Sequence, residues 1–286
     1  MSKSNQEKPL FDTVAILGLG LMGGSLGMAL KQRGVTRCVS GFARKESVRK
    51  AALKLEAVDQ VFSDPQPAVA GAELVVLCTP LSTMAGLVER IAGALQSQAV
   101  VTDVGSTKLE ILTELQKLLH KGTHVVGSHP MCGSHLTGIM AASPDLYEGA
   151  PCFVTPTART HGASQRRVEK LWRSIGCKVK LLSPGEHDRL VAAISHVPHL
   201  AAVALVNAAT DEQLAFAGSG FMDSTRIAAG SPELWRDICV TNRKEIGRGL
   251  KALIAELQKV ERQVRSGRDQ TLTATLERAS ERRQRL

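Results

Sequence analysis

Residues 13–25 restrict the possible folds more than any other stretch of the chain. Thr13-Val14-Ala15-Ile16-Leu17 is a short apolar run rich in β-branched residues, as in a strand buried on both faces. Gly18, Gly20 and Gly23 follow in the spacing G-x-G-x-x-G, and residues 26–33 continue with helical character. In such a unit the first glycine makes a tight turn, the second presents no Cβ to an approaching phosphate, and the third lets helix and strand pack closely. The helix N-terminus adds unpaired N–H groups and a partial positive charge. The segment therefore predicts a dinucleotide pyrophosphate cradle, with Gly18, Gly20, Leu21, Met22 and Gly23 around the cofactor. A glycine-rich turn that binds nothing is the alternative.

Strand and helix signals alternate through the first half, as expected for a parallel sheet covered on both faces. Strands are predicted at 37–42, 73–78, 99–103 and 123–127, with late strands at 152–155 and 178–182. Helices are predicted at 44–55, 82–95, from 109 to 120, and near 164–174. After Ser183-Pro184 the strand signals stop, and residues 185–210, 232–259 and 272–285 read as helices. The expected architecture is an α/β Rossmann-type dinucleotide-binding domain over 1–184, followed by an all-α domain over 185–286. Apolar helices such as 200–209 exceed what one small domain needs, so pairing between subunits, as a homodimer, is expected.

Within 286 residues the formal charge is +9. Much of the excess lies near the end, where Arg262, Arg265, Arg268, Arg278, Arg282, Arg283 and Arg285 outnumber the acids. No aromatic residue sits among them, so a solvated helix face is the simpler reading than a nucleic-acid surface. The polar first nine residues do not read as a signal peptide, and no apolar run approaches a membrane-spanning length. The six cysteines are scattered without a C-x-x-C pair, which favours reduced thiols in a cytoplasmic protein over a zinc site.

Cofactor type is read where a NAD-binding unit carries an acid for the ribose hydroxyls. This chain has Ser40-Gly41-Phe42-Ala43-Arg44-Lys45 there, with no carboxylate before Glu46. Arg44 suits a 2′-phosphate, so the cofactor is read as NAD(P), with NADP favoured. The alternative is that Arg44 and Lys45 begin a solvated helix.

Open parallel sheets bind ligands at the carboxyl ends of their strands. Cys78-Thr79-Pro80 falls at such an end and puts Thr79 and Pro80 beside the cofactor. Asp103-Val104-Gly105-Ser106-Thr107-Lys108 falls at another, and Gly127-Ser128-His129-Pro130-Met131-Cys132-Gly133 at a third. His129 is the candidate acid or base, because imidazole titrates near neutrality. Ser106 is placed to hydrogen-bond both substrate and His129. Lys108 is either an anion contact or an ordinary first-turn residue. In the helical part, His196 and His199 of Ser195-His196-Val197-Pro198-His199 share a helix face, and Pro198 should kink that helix. No carboxylate set completes a metal site around them. Arg226, in a glycine-flanked apolar segment, needs an anion.

Taken together, these motifs resemble the prephenate and arogenate dehydrogenases of tyrosine biosynthesis. Gly18–Ser25, Cys78–Pro80, Asp103–Lys108, Gly127–Gly133, Ser195–His199 and Asp223–Ala228 run in the family's order over nearly the whole chain. The resemblance implies oxidative decarboxylation of a cyclohexadienol, in which His129 polarises or deprotonates the ring hydroxyl, Ser106 orients it and Arg226 binds a substrate carboxylate. It also implies a dimer through the helical domain. His196 and His199 suit the keto acid prephenate better than the ammonium of arogenate. The chain departs from the pattern at His135, where many members carry an acid. A β-hydroxy acid dehydrogenase of the same architecture and a non-catalytic dinucleotide sensor are the remaining alternatives.

Overall fold

The computed structural model describes residues 8–120, 122–133, 136–267 and 269–286, so His135 and Arg268 lie outside the described residues. The first domain is built from β1 (Phe11–Leu17), α1 (Leu21–Gln32), β2 (Thr36–Phe42), α2 (Glu46–Lys54), β3 (Gln60–Phe62), α3 (Pro65–Val69), β4 (Leu74–Leu77), α4 (Leu81–Ile91), β5 (Val100–Asp103), α5 (Leu109–Leu118) and β6 (His124–Val125). The strands form one parallel sheet in the order β3-β2-β1-β4-β5-β6. The order reverses between β1 and β4, and that reversal opens a crevice at their carboxyl ends.

β1 explains why its sequence is continuously apolar. Val14 and Ile16 point into one buried cluster with Leu26, Leu30 and Trp172. Ala15 and Leu17 point into a second, with Met84, Val88 and Leu112. A strand with helices on both faces has no polar side to display. In this domain the elements that sequence reading missed, β3 and α3, are too short for a periodic signal.

The expected strand at 123–127 proves to be two. β6 closes the main sheet, with Val126 N–H donating to Val101 O at 3.0 Å. The chain then crosses to a separate sheet of β7 (Gly127–Pro130), β8 (Pro151–Thr155) and β9 (Lys178–Leu181), which is covered by α6 (Gly162–Ser174). A Cβ on Gly127 would meet Thr155 Oγ1 at 2.4 Å and Leu112 at 2.7 Å, so any larger residue at this crossing would have to displace both side chains. β7 runs antiparallel to β8 with His129 opposite Phe153. His129 thus lies within a strand of the smaller sheet rather than in a loop after the larger one.

The helical part begins at Ser183, whose hydroxyl accepts from Glu186 N–H while the Glu186 carboxylate accepts from Ser183 N–H. α7 (Pro184–Val191) runs through a π turn at Ala192–His196 into α8 (Val197–Ala208). The expected kink at Pro198 is replaced by this wide turn, and the proline, which has no N–H to donate, sits in the first turn of α8. The continuous 25-residue helix reaches a mean hydropathy of 1.6, enough by length and composition to cross a bilayer, although sequence reading found no such run. A third of its most apolar stretch is buried, on the side that carries His187, Asp188, His196 and His199, while Ile194 and Leu205 are exposed. α9 (Asp211–Leu214), α10 (Ser219–Thr225), α11 (Pro232–Thr241), α12 (Arg243–Arg265) and α13 (Asp269–Gln284) complete the chain. The single helix expected over 232–259 is broken at Asn242, whose φ of −122° and ψ of 28° leave the helical region.

Candidate active site

The loops leaving β1, β4 and β5 are held side by side by backbone hydrogen bonds. Gly18 N–H donates to Phe42 O at 3.0 Å, Cys78 N–H to Leu17 O at 2.8 Å, and Val104 N–H to Leu77 O at 3.1 Å. A cleft of about 370 Å³ opens over them, lined by Gly20, Leu21, Met22, Thr79, Pro80, Ser106 and His129 among others. Sequence motifs separated by more than a hundred positions therefore share one cavity.

The cradle fits a dinucleotide. Gly18 has φ +104°, and a Cβ there would meet Cys78 O at 2.7 Å. A Cβ on Gly23 would meet Gly18 O at 1.9 Å, whereas the Cβ position of Gly20 is open. These two glycines close the turn and Gly20 leaves room above it. Gly20 caps α1 with no side-chain hydrogen bond, and no acid stands in the first turn, so the end of the helix is free to receive an anion. Thr79 Oγ1 is buried without a hydrogen-bond partner among the described residues, an acceptor and donor left over for a ligand.

His129 is buried, yet it lines the cleft. Its Nδ1 lies 2.9 Å from His187 Nε2, and His187 Nδ1 lies 2.8 Å from Asp188 Oδ1. Asp188 is itself fixed at the start of α5, with Lys108 N–H donating to Oδ1 at 2.8 Å and Leu109 N–H to Oδ2 at 2.9 Å. Burial holds the His129 imidazole well below its usual pKa, and His187, Lys108 and His196 add to the effect. A ring kept neutral can accept a proton at ordinary pH. The expected bond between Ser106 and His129 is not the one that holds the ring. Ser106 lines the same cleft, but the ring is anchored by His187.

Lys108 requires a correction. Its side chain is fully buried and forms an ion pair with Asp103 instead of reaching the cleft. Asp103 also accepts from Gly105 N–H at 2.9 Å and Ser128 N–H at 3.1 Å. The pair thus ties the β5 loop to β7, because an unpaired cation at this depth would be costly.

The other expected substrate contacts do not line the cleft in the single chain. His196 is buried, accepts from Asn242 Nδ2 at 3.2 Å, and is pushed down to about 4, chiefly by burial. His199 stacks on Trp235 with ring centroids 3.4 Å apart, and its buried Nδ1 has no partner among the described residues. Arg226 is exposed at the end of α10. Arg44 is exposed just beyond β2, where Arg49 Nη1 donates to the Ala43 and Arg44 carbonyls and shapes the loop. Sequence reading missed His187, Asp188 and Asn242. Their one visible signal was a His-Asp pair in the first turns of a well-capped helix.

Comparison with known proteins decides the lineage. Residues 26–181 match the family described as the nucleotide-binding domain of prephenate dehydrogenase, and residues 183–278 match its dimerization domain. The chain belongs to the prephenate dehydrogenase family. It is 33% identical to the prephenate dehydrogenase of Bacillus subtilis over 87% of this chain and 69% of that protein. It is also 33% identical to the cyclohexadienyl dehydrogenase of Zymomonas mobilis, over 88% of each. The solved prephenate dehydrogenase of Aquifex aeolicus, in complex with hydroxyphenyl propionate and NAD+, superposes with a TM-score of 0.89 at 28% identity. That match covers 98% of this chain and 99% of the Aquifex chain. Membership makes the chain an oxidoreductase with a nicotinamide-dinucleotide domain, as the glycine turn implied.

Proposed function

We propose that this chain catalyses the oxidative decarboxylation of prephenate, with NADP favoured over NAD, as a homodimer paired through its helical domain. The observation that carries the reading is a neutral, anchored His129 in the same cleft as an intact dinucleotide cradle. A nicotinamide bound there supplies the hydride acceptor. His129 takes the proton of the ring hydroxyl as hydride leaves the same carbon. The bond to the ring carboxylate then breaks, carbon dioxide departs, and its electron pair completes the aromatic ring. The ring oxygen recovers the proton from His129, so the histidine ends each turnover as it began. Ser106, on the same wall, orients the hydroxyl.

Among the described residues the cleft is lined by no carboxylate, which favours a keto acid over an ammonium-bearing side chain. Arg226 is assigned a substrate carboxylate in the dimer. The exposed Met222 and Ile227 beside it support burial of that face by a second chain. Arg44 supports NADP, since a guanidinium after β2 suits a 2′-phosphate.

The test is reduction of NAD and of NADP with prephenate and arogenate offered separately, followed by nicotinamide absorbance. Prephenate turnover with a lower KM for NADP is expected. Arg44→Ala should raise the KM for NADP about tenfold, the worth of one charge-assisted contact, and leave that for NAD nearly unchanged. Equal kinetics with both cofactors in the parent would remove the NADP assignment, and turnover of arogenate alone would remove prephenate.

A further inference from the structure

The His129–His187–Asp188 chain has a direction that follows from donor and acceptor chemistry. The Asp188 carboxylate only accepts. It already takes two backbone N–H groups from the first turn of α5, one on each oxygen, so both oxygens are committed as acceptors. The atom facing it, His187 Nδ1, must therefore carry the hydrogen. A neutral His187 then has a bare Nε2, which must accept. The atom facing that nitrogen is His129 Nδ1, so His129 carries its hydrogen on Nδ1. The bare ring nitrogen of His129 is Nε2, the one left to the cleft that the residue lines.

We propose that His187 and Asp188 are positioning residues that set the tautomer of His129, presenting an unprotonated Nε2 to the substrate hydroxyl and supporting the imidazolium formed when it takes the proton. The inference rests on His129 acting as the base in the reaction above. Each link is buried, with His187 at 0% and Asp188 at 2% exposure, so water cannot replace the bonds or scramble the tautomer. His187 is also packed edge-on against Phe153, the residue opposite His129 in β8, which limits rotation of its ring. Asn242, between α11 and α12, adds support from elsewhere in the helical domain, donating to the Asp188 carbonyl at 2.8 Å.

The charges around His129 come from three sides. Asp103 ends β5 and its partner Lys108 follows it, His187 and Asp188 lie on α7, and His196 lies in the π turn. Lys108 and the neighbouring histidines disfavour a cation on His129, and its burial does so more strongly. Asp188 is the carboxylate linked to the ring through hydrogen bonds. When His129 takes the substrate proton, the Nδ1 hydrogen can move toward His187 Nε2 while the His187 hydrogen moves toward Asp188. Positive charge is thereby drawn toward the Asp188 carboxylate, and the hydrogens return when the ring oxygen is reprotonated. No proton leaves the site.

The inference is tested by nitrogen-15 NMR of ring-labelled protein at neutral pH, with the His129 signals assigned from a His129→Gln variant. The expected wild-type spectrum shows His129 protonated at Nδ1 and bare at Nε2. Asp188→Asn turns the terminal acceptor into a donor, so His187 should change tautomer and His129 should follow, becoming protonated at Nε2. Its kcat should fall about a hundredfold or more while the KM for the cofactor is retained. In His187→Gln the amide can accept from His129 and donate to Asp188, so it should recover much of the activity that His187→Leu loses. A wild-type His129 protonated at Nε2 would overturn the relay whatever the variants do, as would full activity in His187→Leu with an unchanged pH profile. Absence of prephenate turnover with the Nδ1 tautomer in place would instead overturn the substrate assignment.

Discussion

A buried charge near a catalytic base serves the base as well as the fold, and Lys108 illustrates both. It is closed off from solvent and paired with Asp103, yet it also holds the pKa of His129 down. Lys108→Met leaves a buried carboxylate with only its N–H donors. The expected cost is on the order of 3 kcal/mol in a urea unfolding curve, the penalty for breaking one side of a buried pair. Removing the cation also raises the His129 pKa. His129 must be neutral to accept a proton, so the low-pH fall of kcat should move to higher pH. The KM for substrate should not change. A large rise in KM with stability intact would return Lys108 to the substrate contacts. At this scale the sequence was informative where chemistry and local backbone coincide. His129, Ser106, Thr79 and Pro80 all reach the cleft because each follows a strand of a predicted sheet or belongs to the crossover beside it. It misjudged Lys108 because nothing local shows that the side chain folds back on an aspartate five positions earlier. It was silent on His187, whose role depends on a strand 58 residues away.

Elements carry the site by the way they are joined. β6 and β7 follow one another with a single residue, Val126, between them, and the crossing at Gly127 places His129 in a second sheet. The helix from α7 to α8 is likewise divided by a π turn, with His187 on one side and His199 on the other. The third join is Asn242, between α11 and α12. Its amide donates to Asp188 O and to His196 Nδ1, tying the α11–α12 junction to the helix that supports the base. Asn242→Ala leaves the buried His196 Nδ1 without its donor and takes one of two donors from the Asp188 carbonyl, which should cost about 1–3 kcal/mol. Thermal unfolding would measure this, and a melting temperature equal to the parent's would show that Asn242 only fills space. Periodicity located these elements well and their breaks poorly. An apolar repeat runs through a glycine crossover, a π turn or a one-residue break without changing phase enough to mark it.

For the molecule as a whole, two consequences follow from what is left uncovered and what is covered. Leu205, Ile254, Leu257, Val264 and Leu276 of α8, α12 and α13 remain exposed, an apolar surface that a lone chain would not carry comfortably in water and that supports the proposed dimer. The composition foreshadowed this surplus, but only the fold says which face carries it. The centre of the chain, by contrast, buries four histidines: His129, His187, His196 and His199. Burial lowers the pKa of each, that of His196 to about 4. The sign of the linkage is then fixed. Above the ordinary histidine value of 6.5, both folded and unfolded chains leave these rings neutral, and stability does not depend on them. Below it the unfolded chain takes up protons that the folded chain refuses, so stability falls as pH falls, by up to about 1.4 kcal/mol per pH unit for each ring. For His196 the loss continues down to about 4, where the folded ring also protonates. The urea midpoint should therefore be flat from about pH 8 to 7 and drop steeply toward pH 5, before most carboxylates titrate. Because His196 and His199 lie in the helical domain and His129 in the other, a probe in each domain should report the same fall. A midpoint that stays constant from pH 7 to 5 would mean that these rings protonate in the folded state as easily as in water, contrary to their burial.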